Sequence, residues 1–336
     1  MEKGSVSIYF VQSALERLRA LGIDTTPLLV DAGISPALLD SPQGRVTPQS
    51  FSALWLGVAA VLDDELFGQD ARRMKVGSFA MLTYTLIGCD TLHSALLRMV
   101  RCFNLMLDNF ECTLEVDMHT ARLAIRQKAD EHAPRIFGFE TLLMMQHGLA
   151  CWLVGRRIRV LAATFSYPEP PRSAEYRQMY SENLLFDQNV TALSFDKDCL
   201  GLPMIQDRRS AKAFLRGAPA NIVLKYKNSG GIAAQIRRRL RAASRTEWPE
   251  FDALALSLHM APSTLRRRLD DEGQTVQLIK DQLRRDMAID LLCHSSRSVA
   301  EIASELGFAE ASGFHRAFKK WTGVNPGEYR QRALPP

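Results

Sequence analysis

The chain has 336 residues, 46% apolar and 24% charged, with a net charge of +5, an ordinary globular balance with length enough for two domains of about 100–200 residues. No apolar run approaches the roughly 18 residues that cross a membrane, and the opening MEKGSVSIYFVQSALERLRALG lacks the basic-then-apolar order of an export signal. Cys89, Cys102, Cys112, Cys151, Cys199 and Cys293 lie far apart without a CxxC pair, which disfavours zinc and a disulfide scaffold and suits buried free thiols in a reducing cytoplasm.

In chain order, helices are predicted over 7–22, 26–33, 48–62 and 91–106. FECTLEVDMHTARLAIRQK (110–128) alternates in both arms around Met118-His119-Thr120 and reads as a hairpin. A helix over 134–154, a strand-like run over 157–167, a Pro-bounded helix over 173–181 and a strand near 190–196 follow. This pattern predicts an α+β domain, helices packed on a small antiparallel sheet. His93, His119, His132 and His147 show no metal-ligand spacing; His147, on an apolar helix, reads as a hydrogen-bonded core residue. Asp63-Asp64-Glu65 reads as a helix end or loop rather than a catalytic cluster. NIVLKYKNSGG (221–231) reads as a linker. The expected division is one domain over 1–220, the linker, and a second domain over 232–336.

Beyond the linker the pattern is helical throughout. Ile232, Ile236 and Leu240 form one apolar stripe, and Phe251, Leu254, Ala255 and Leu258 form the next. Pro262 opens a helix ended by Gly273, a long helix runs from about 275 to 294, and Ser298 with Glu301 marks a capping box. Gly307 stops that helix, and GVNPGEYR closes the domain with a turn and a short helix. Short helix, tight turn and basic helix thus occur twice, about 49 residues apart, which is the helix-turn-helix plan. Ala255 and Ala303 supply the small residue where the second helix crosses the first. The turn is Gly307-Phe308 in the second copy; His259 holds that place in the first, tolerating a left-handed backbone less well than glycine.

The charge follows the same division. Residues 1–220 hold 23 Lys/Arg against 24 Asp/Glu, and residues 221–336 hold 19 against 13. A basic segment on a neutral body points to a nucleic acid or a membrane as its partner. ELGFAEASGFHRAFKKWTG (305–323) narrows the choice: Phe308, Phe314 and Phe318, with Trp321, lie on one side and His315, Arg316, Lys319 and Lys320 on the other. A core helix has no use for those cations, and an ordinary surface helix has none for three phenylalanines.

SVAEIASELGFAEASGFHRAFKKWTGVNPGEYR closely resembles the signature of the AraC/XylS family of bacterial transcription regulators. The match carries I-A at Ile302-Ala303, G-F at Gly307-Phe308, F-x-R-x-F-K from Phe314 to Lys319 and G-x-x-P-x-x-Y-R from Gly323 to Arg330. MAPSTLRRRLDDEG is similar to that family's first recognition helix and LRRDMAIDLL to its connecting helix, about 100 residues in all. More weakly, RVTPQSFSALW and FSYPEPPRSAEYRQMY resemble the regulatory domain of members like the ornithine-utilisation regulator. The resemblance implies a cytoplasmic regulator whose all-α C-terminal domain carries two helix-turn-helix motifs joined by a long helix. It further implies a 1–220 regulatory domain that senses a small molecule and dimerises, with promoter DNA as partner, RNA polymerase as a further one, and no cofactor or membrane.

The second helix of each motif is expected to enter a major groove, over about 262–272 and 310–322. With Leu265 and Leu269 inside, Ser263, Thr264, Arg266, Arg267 and Arg268 face outward. With Phe314, Ala317, Phe318 and Trp321 inside, Ala311, Ser312, Gly313, His315, Arg316 and Lys319 remain for DNA. Alone, the triple-arginine run fits a solvated helix face; within this pattern it reads as a DNA contact, Arg267 first. Arginine can grip guanine bidentately, whereas Lys319 and Lys320 suit phosphate. Gly313 stands where the family often has a larger residue. The linking helix, about 18 residues and roughly 27 Å long, would set the reading helices about one DNA turn apart. The competing readings are an enzyme or other sensor domain fused to a DNA-binding module and a non-specific architectural protein. Residues 1–220 show no nucleophile elbow, phosphate-binding glycine loop or metal motif. The effector, the pathway and the direction of regulation stay open.

Overall fold

The computed structural model describes residues 5–41, 44–128, 135–171, 173–181, 183–223, 232–243, 248–271, 274–322 and 324–333. Residues 224–231 of the expected linker lie outside them, as do Glu272 and Gly273. The elements run β1 (Val6–Ser7), α1 (Ile8–Ala20), α2 (Thr26–Asp31), a 3₁₀ turn (Pro36–Asp40), β2 (Arg45–Val46), α3 (Pro48–Leu62), α4 (Ser78–Leu86), α5 (Leu92–Met106), β3 (Phe110–Val116), β4 (Thr120–Gln127) and α6 (Ile136–Leu153). Next come β5 (Ala162–Thr164), α7 (Ser173–Met179), β6 (Leu184–Leu185), β7 (Thr191–Asp196), a second 3₁₀ turn (Lys197–Gly201), α8 (Arg208–Arg216) and α9 (Ala220–Val223). The C-terminal series is α10 (Ile232–Ala242), α11 (Phe251–Ser257), α12 (Pro262–Asp271), α13 (Val276–His294), α14 (Val299–Glu305), α15 (Ala311–Thr322) and α16 (Pro326–Ala333). By proximity of Cα atoms the chain forms two compact units, one of Ser13–Gly22 with Trp55–Asn228, the other of Met1–Gln12, Ile23–Leu54 and Ser229–Pro336.

The first unit is built on a five-stranded sheet of order β3-β4-β7-β5-β6. Alternating apolar positions fix its register: Leu123 pairs with Leu114 on one side and Leu193 on the other. The sheet is antiparallel except between β5 and β6, which run parallel. The carboxamide of Asn104, from α5, bonds both the N–H and the C=O of Cys112 at 2.7 and 2.8 Å. It occupies, at Cys112, one pair of the backbone groups that the edge strand β3 would otherwise offer to another chain. Helix α6 is buried over nearly its whole length. Its Glu140 accepts a hydrogen bond from the Tyr176 hydroxyl, which stands 3.2 Å from that of Tyr167.

His147 is a core residue as expected, its Nε2 2.9 Å from the Ile158 carbonyl. Asp64 and Glu65 organise a loop: Asp64 accepts the N–H groups of Leu66, Gly68 and Met74 at 2.7–3.0 Å, and Glu65 those of Gly77 and Phe79 at 2.8 and 2.7 Å. Two expectations need correction. Of the strand-like run 157–167 only Ala162–Thr164 is strand; at the start of the run the backbone of Ile158 is satisfied by side chains instead, its N–H meeting the Cys151 Sγ at 3.2 Å and its carbonyl meeting His147. Helix α4, absent from the sequence reading, occupies Ser78–Leu86.

The second unit joins the C-terminal helices to the first β pair. β1 and β2 pair antiparallel, Val6 with Val46 and Ser7 with Arg45. The buried Arg45 donates from Nε to Ser5 Oγ at 2.8 Å and from its guanidinium to the Ser5 carbonyl at 3.0 Å. The C-terminal core collects Ile236, Leu240, Leu254, Leu265, Ile279, Leu283, Ala288, Ile302, Phe314, Phe318 and Tyr329, each at most 2% exposed.

Candidate nucleic-acid interface

Two copies of one local device position the reading helices. Helix α11 ends with His259 at φ 55° and α14 with Gly307 at φ 79°. In the first, the His259 N–H donates to the Leu256 carbonyl at 2.9 Å and that of Met260 to Ala255 at 3.0 Å. In the second, Gly307 donates to Ser304 and Phe308 to Ala303, both at 3.0 Å. Each is the paired turn that closes a helix through one left-handed residue. Gly307 follows His259 by 48 positions and Phe314 follows Leu265 by 49, so the second turn carries one extra residue before its reading helix.

The helix preceding the second turn, α14, is set by its cap. The Ser298 hydroxyl accepts the Glu301 N–H at 3.2 Å, and the Glu301 carboxylate accepts the Ser298 N–H at 2.6 Å. That backbone bond, with a smaller contribution from the Ser298 hydroxyl, holds the Glu301 carboxyl below its ordinary range.

The first reading helix is α12. Leu265 and Leu269 are buried, while Ser263, Arg266, Arg267 and Arg268 are exposed and Thr264 is half-buried. One departure matters here: Phe251, expected on the buried face of α11, is only half-buried, and the Arg266 guanidinium lies 5.5 Å from its ring centroid. A cation over an aromatic face is held there electrostatically. Arg266 is therefore occupied within the motif, while Arg267 and Arg268 extend from the same helix.

The second reading helix is α15. Phe314 and Phe318 are fully buried, packed on each other at 5.5 Å between ring centroids. Phe308 meets Phe314 at 5.4 Å and Trp321 at 6.2 Å, and Phe318 meets Tyr329 edge-on at 5.3 Å. The aromatics therefore clamp α15 to its bundle, burying large apolar area against few elements. On the opposite side Ala311, Ser312, Arg316, Lys319 and Lys320 are exposed, with His315 and Gly313 half-buried. Ser312 Oγ donates to Glu310 at 3.0 Å. A Cβ on Gly313 would meet only the Phe308 ring, at 3.7 Å.

Between the motifs runs α13, 19 residues, about 28 Å at 1.5 Å per residue. Its Arg284, which sequence reasoning did not single out, lies 5.0 Å from the Trp248 ring centroid and 5.6 Å from that of Phe308. Its Nε donates to the Leu306 carbonyl at 3.4 Å. Burial pulls its pKa down, against the field of Asp281. Arg237, on α10, donates to Gln274 at 2.8 Å and Gln282 at 3.2 Å, tying α10 to the N-terminal half of α13. No sequence periodicity separates such pinned arginines from free ones.

Two small helical motifs on a rigid spacer, each with cations on its open face, define a DNA-reading protein. Residues 22–204 match the model of the arabinose-binding domain of AraC transcription regulators, and residues 254–332 match a helix-turn-helix domain. The first match spans more than half of the chain, which belongs to the AraC family and is a DNA-binding transcription regulator.

Among curated proteins it is similar to the ornithine utilization regulator of Pseudomonas aeruginosa, 26% identical over 97% of this chain and 96% of that one. The regulator VqsM of the same organism is 36% identical over 34% of this chain and 35% of its own. Among solved structures, the transcriptional regulator CdpR from Pseudomonas aeruginosa aligns over 97% of this chain and 98% of its own. That alignment has 19% identity and a TM-score of 0.32.

Proposed function

We propose that one monomer reads two adjacent major grooves on one face of a promoter, α12 in one and α15 in the next. The observation that carries this reading is the repeated left-handed turn, at His259 and Gly307, which presents two basic helices from one bundle. Arg267, Arg268 and Arg316 are assigned to base edges and phosphate; Ser263, Thr264, Arg266, Ser312, Gly313 and His315 flank them; Lys319 and Lys320 hold phosphate and set register. Functionally the chain divides into a regulatory domain over 1–220, a linker over 221–231 and the DNA-binding domain over 232–336.

The regulatory domain binds a small metabolite and pairs two copies. The match to an arabinose-binding family domain supports the first role; for the second, joined sites gain affinity through effective concentration. The protein works in the cytoplasm by binding rather than catalysis, with RNA polymerase as its downstream partner. Among the described residues no helix is long and apolar enough to cross a membrane.

The test begins by selecting a binding site from a random duplex pool with the full chain. Hydroxyl-radical footprinting of a monomer-sized site is expected to protect two tracts one turn apart. The selected site should bind at least ~1,000-fold tighter than random duplex. Protection of a single tract, or equal affinity for both duplexes, contradicts the reading. A thermal-shift screen of metabolites tests the sensor, since a ligand specific to the folded form raises its melting point.

A further inference from the structure

We propose that Arg284 is a positioning residue that sets the spacing between the two DNA-reading helices, and so the separation of half-sites the protein accepts. The proposal rests on the two-groove reading above. Its ground is what the guanidinium touches. Trp248 stands three residues before α11, at the entry to the first motif, and Phe308 is the residue that closes the turn of the second. Both rings lie within 5.6 Å of the Arg284 guanidinium, and its Nε also reaches the carbonyl of Leu306, the last residue before Gly307. One side chain on the spacer helix thus reaches one point of each motif.

The chemistry suits a spacer better than a surface charge. Among the described residues Arg284 has no ion-pair partner; Asp281, one turn earlier, acts on it only through its field. A half-buried cation is held instead by two aromatic rings and a carbonyl, which suits a flat, delocalised and weakly hydrated guanidinium better than a compact, strongly hydrated ammonium. Phe308 does not move alone, because its ring also packs on Phe314 and Trp321 of the reading helix α15. Trp248 is itself 8% exposed, so its ring is fixed by its surroundings. Each motif also buries apolar side chains of its own, Leu254, Leu258, Leu265 and Leu269 in the first and Ile302, Leu306, Phe314 and Phe318 in the second. Loss of Arg284 is therefore expected to loosen the relation between motifs while leaving each able to read its own half-site.

The experiment uses the full chain with Arg284→Lys and Arg284→Met, the selected duplex, versions with one base pair inserted or removed between the half-sites, and duplexes keeping a single half-site. Wild type should lose at least ~10-fold when the spacing changes by one base pair, since that rotates one groove away from its helix. Both variants should bind single half-sites within ~2-fold of wild type, yet lose ~5-fold or more on the intact site and discriminate spacing by less than ~3-fold. Wild-type spacing discrimination in both variants overturns the proposal. So does a loss that is equal on half-sites and intact site and follows the fall in melting point. If Arg284→Met does not fold, Arg284→Lys, which keeps the charge, decides alone. A wild type that binds the intact site no better than one half-site instead defeats the two-groove reading itself.

Discussion

The hydroxyl of Tyr329 in α16 donates a hydrogen bond to the main-chain carbonyl of Arg45 in β2, 284 positions earlier. Tyr329 is fully buried, and burial drives its phenol well above the ordinary range, so it remains a neutral donor. Its ring packs edge-on against Phe318 of the second reading helix. Segments at the two ends of the sequence therefore share one core. Tyr329→Phe keeps the ring and removes the donor, and is expected to cost about 1 kcal/mol of that unit's stability, measured by denaturant unfolding.

The paired turns give opposite expectations for similar edits. His259 adopts a left-handed backbone that suits glycine, so His259→Gly should stabilise the protein by roughly 0.5–1 kcal/mol. Gly307→Ala puts a Cβ into the same conformation and should destabilise by about 1 kcal/mol. Melting curves of the two variants should move in opposite directions; movement in the same direction contradicts the geometry.

Gly313 differs from Gly307 because its space, not its backbone, is what the glycine leaves unused. A Cβ there meets only the Phe308 ring, at ordinary contact distance, and glycine inside a helix is unfavourable relative to alanine. Gly313→Ala should raise stability by about 0.5–1 kcal/mol, read as a higher denaturation midpoint.

The capping box of α14 makes a pH prediction. The folded-state pKa of Glu301 is lowered from 4.5. Its stabilising contribution is therefore present above the unfolded value and is lost as pH falls through the lower, folded one. Amide exchange in α14 should be slower in wild type than in Glu301→Gln at neutral pH, and the difference should vanish in acid.

The C-terminal helices were legible because their signals are local. Ile232, Ile236 and Leu240 repeat at one helical period and are all buried, and Ser298 and Glu301 sit at cap spacing and make both capping bonds. In the N-terminal two-thirds of the chain the deciding bonds are distant. Helix α4 buries Phe79, Leu82 and Leu86 at helical spacing, but the exposed Met81 and Tyr84 blur that stripe in SFAMLTYTL, and the helix starts at Gly77 with φ 99°; what anchors it is Glu65, twelve residues before Gly77. At the start of the strand expected over 157–167 the backbone of Ile158 is taken up by His147 and Cys151, a meeting that no alternation announces. At the interface, the buried leucines and phenylalanines of α12 and α15 followed from i, i+4 spacing. That Arg266 rests on Phe251 did not, since the ring belongs to another helix.

The central claim is that two basic helices, each clamped by its own core, read DNA together. Its most direct test is the affinity of wild type, Arg267→Ala and Arg316→Ala for the selected site and for random duplex at one salt concentration. Each substitution is expected to cost about 1–3 kcal/mol on the selected site and less on random duplex, narrowing the ratio between them. Affinity and selectivity unchanged in both variants would contradict the account.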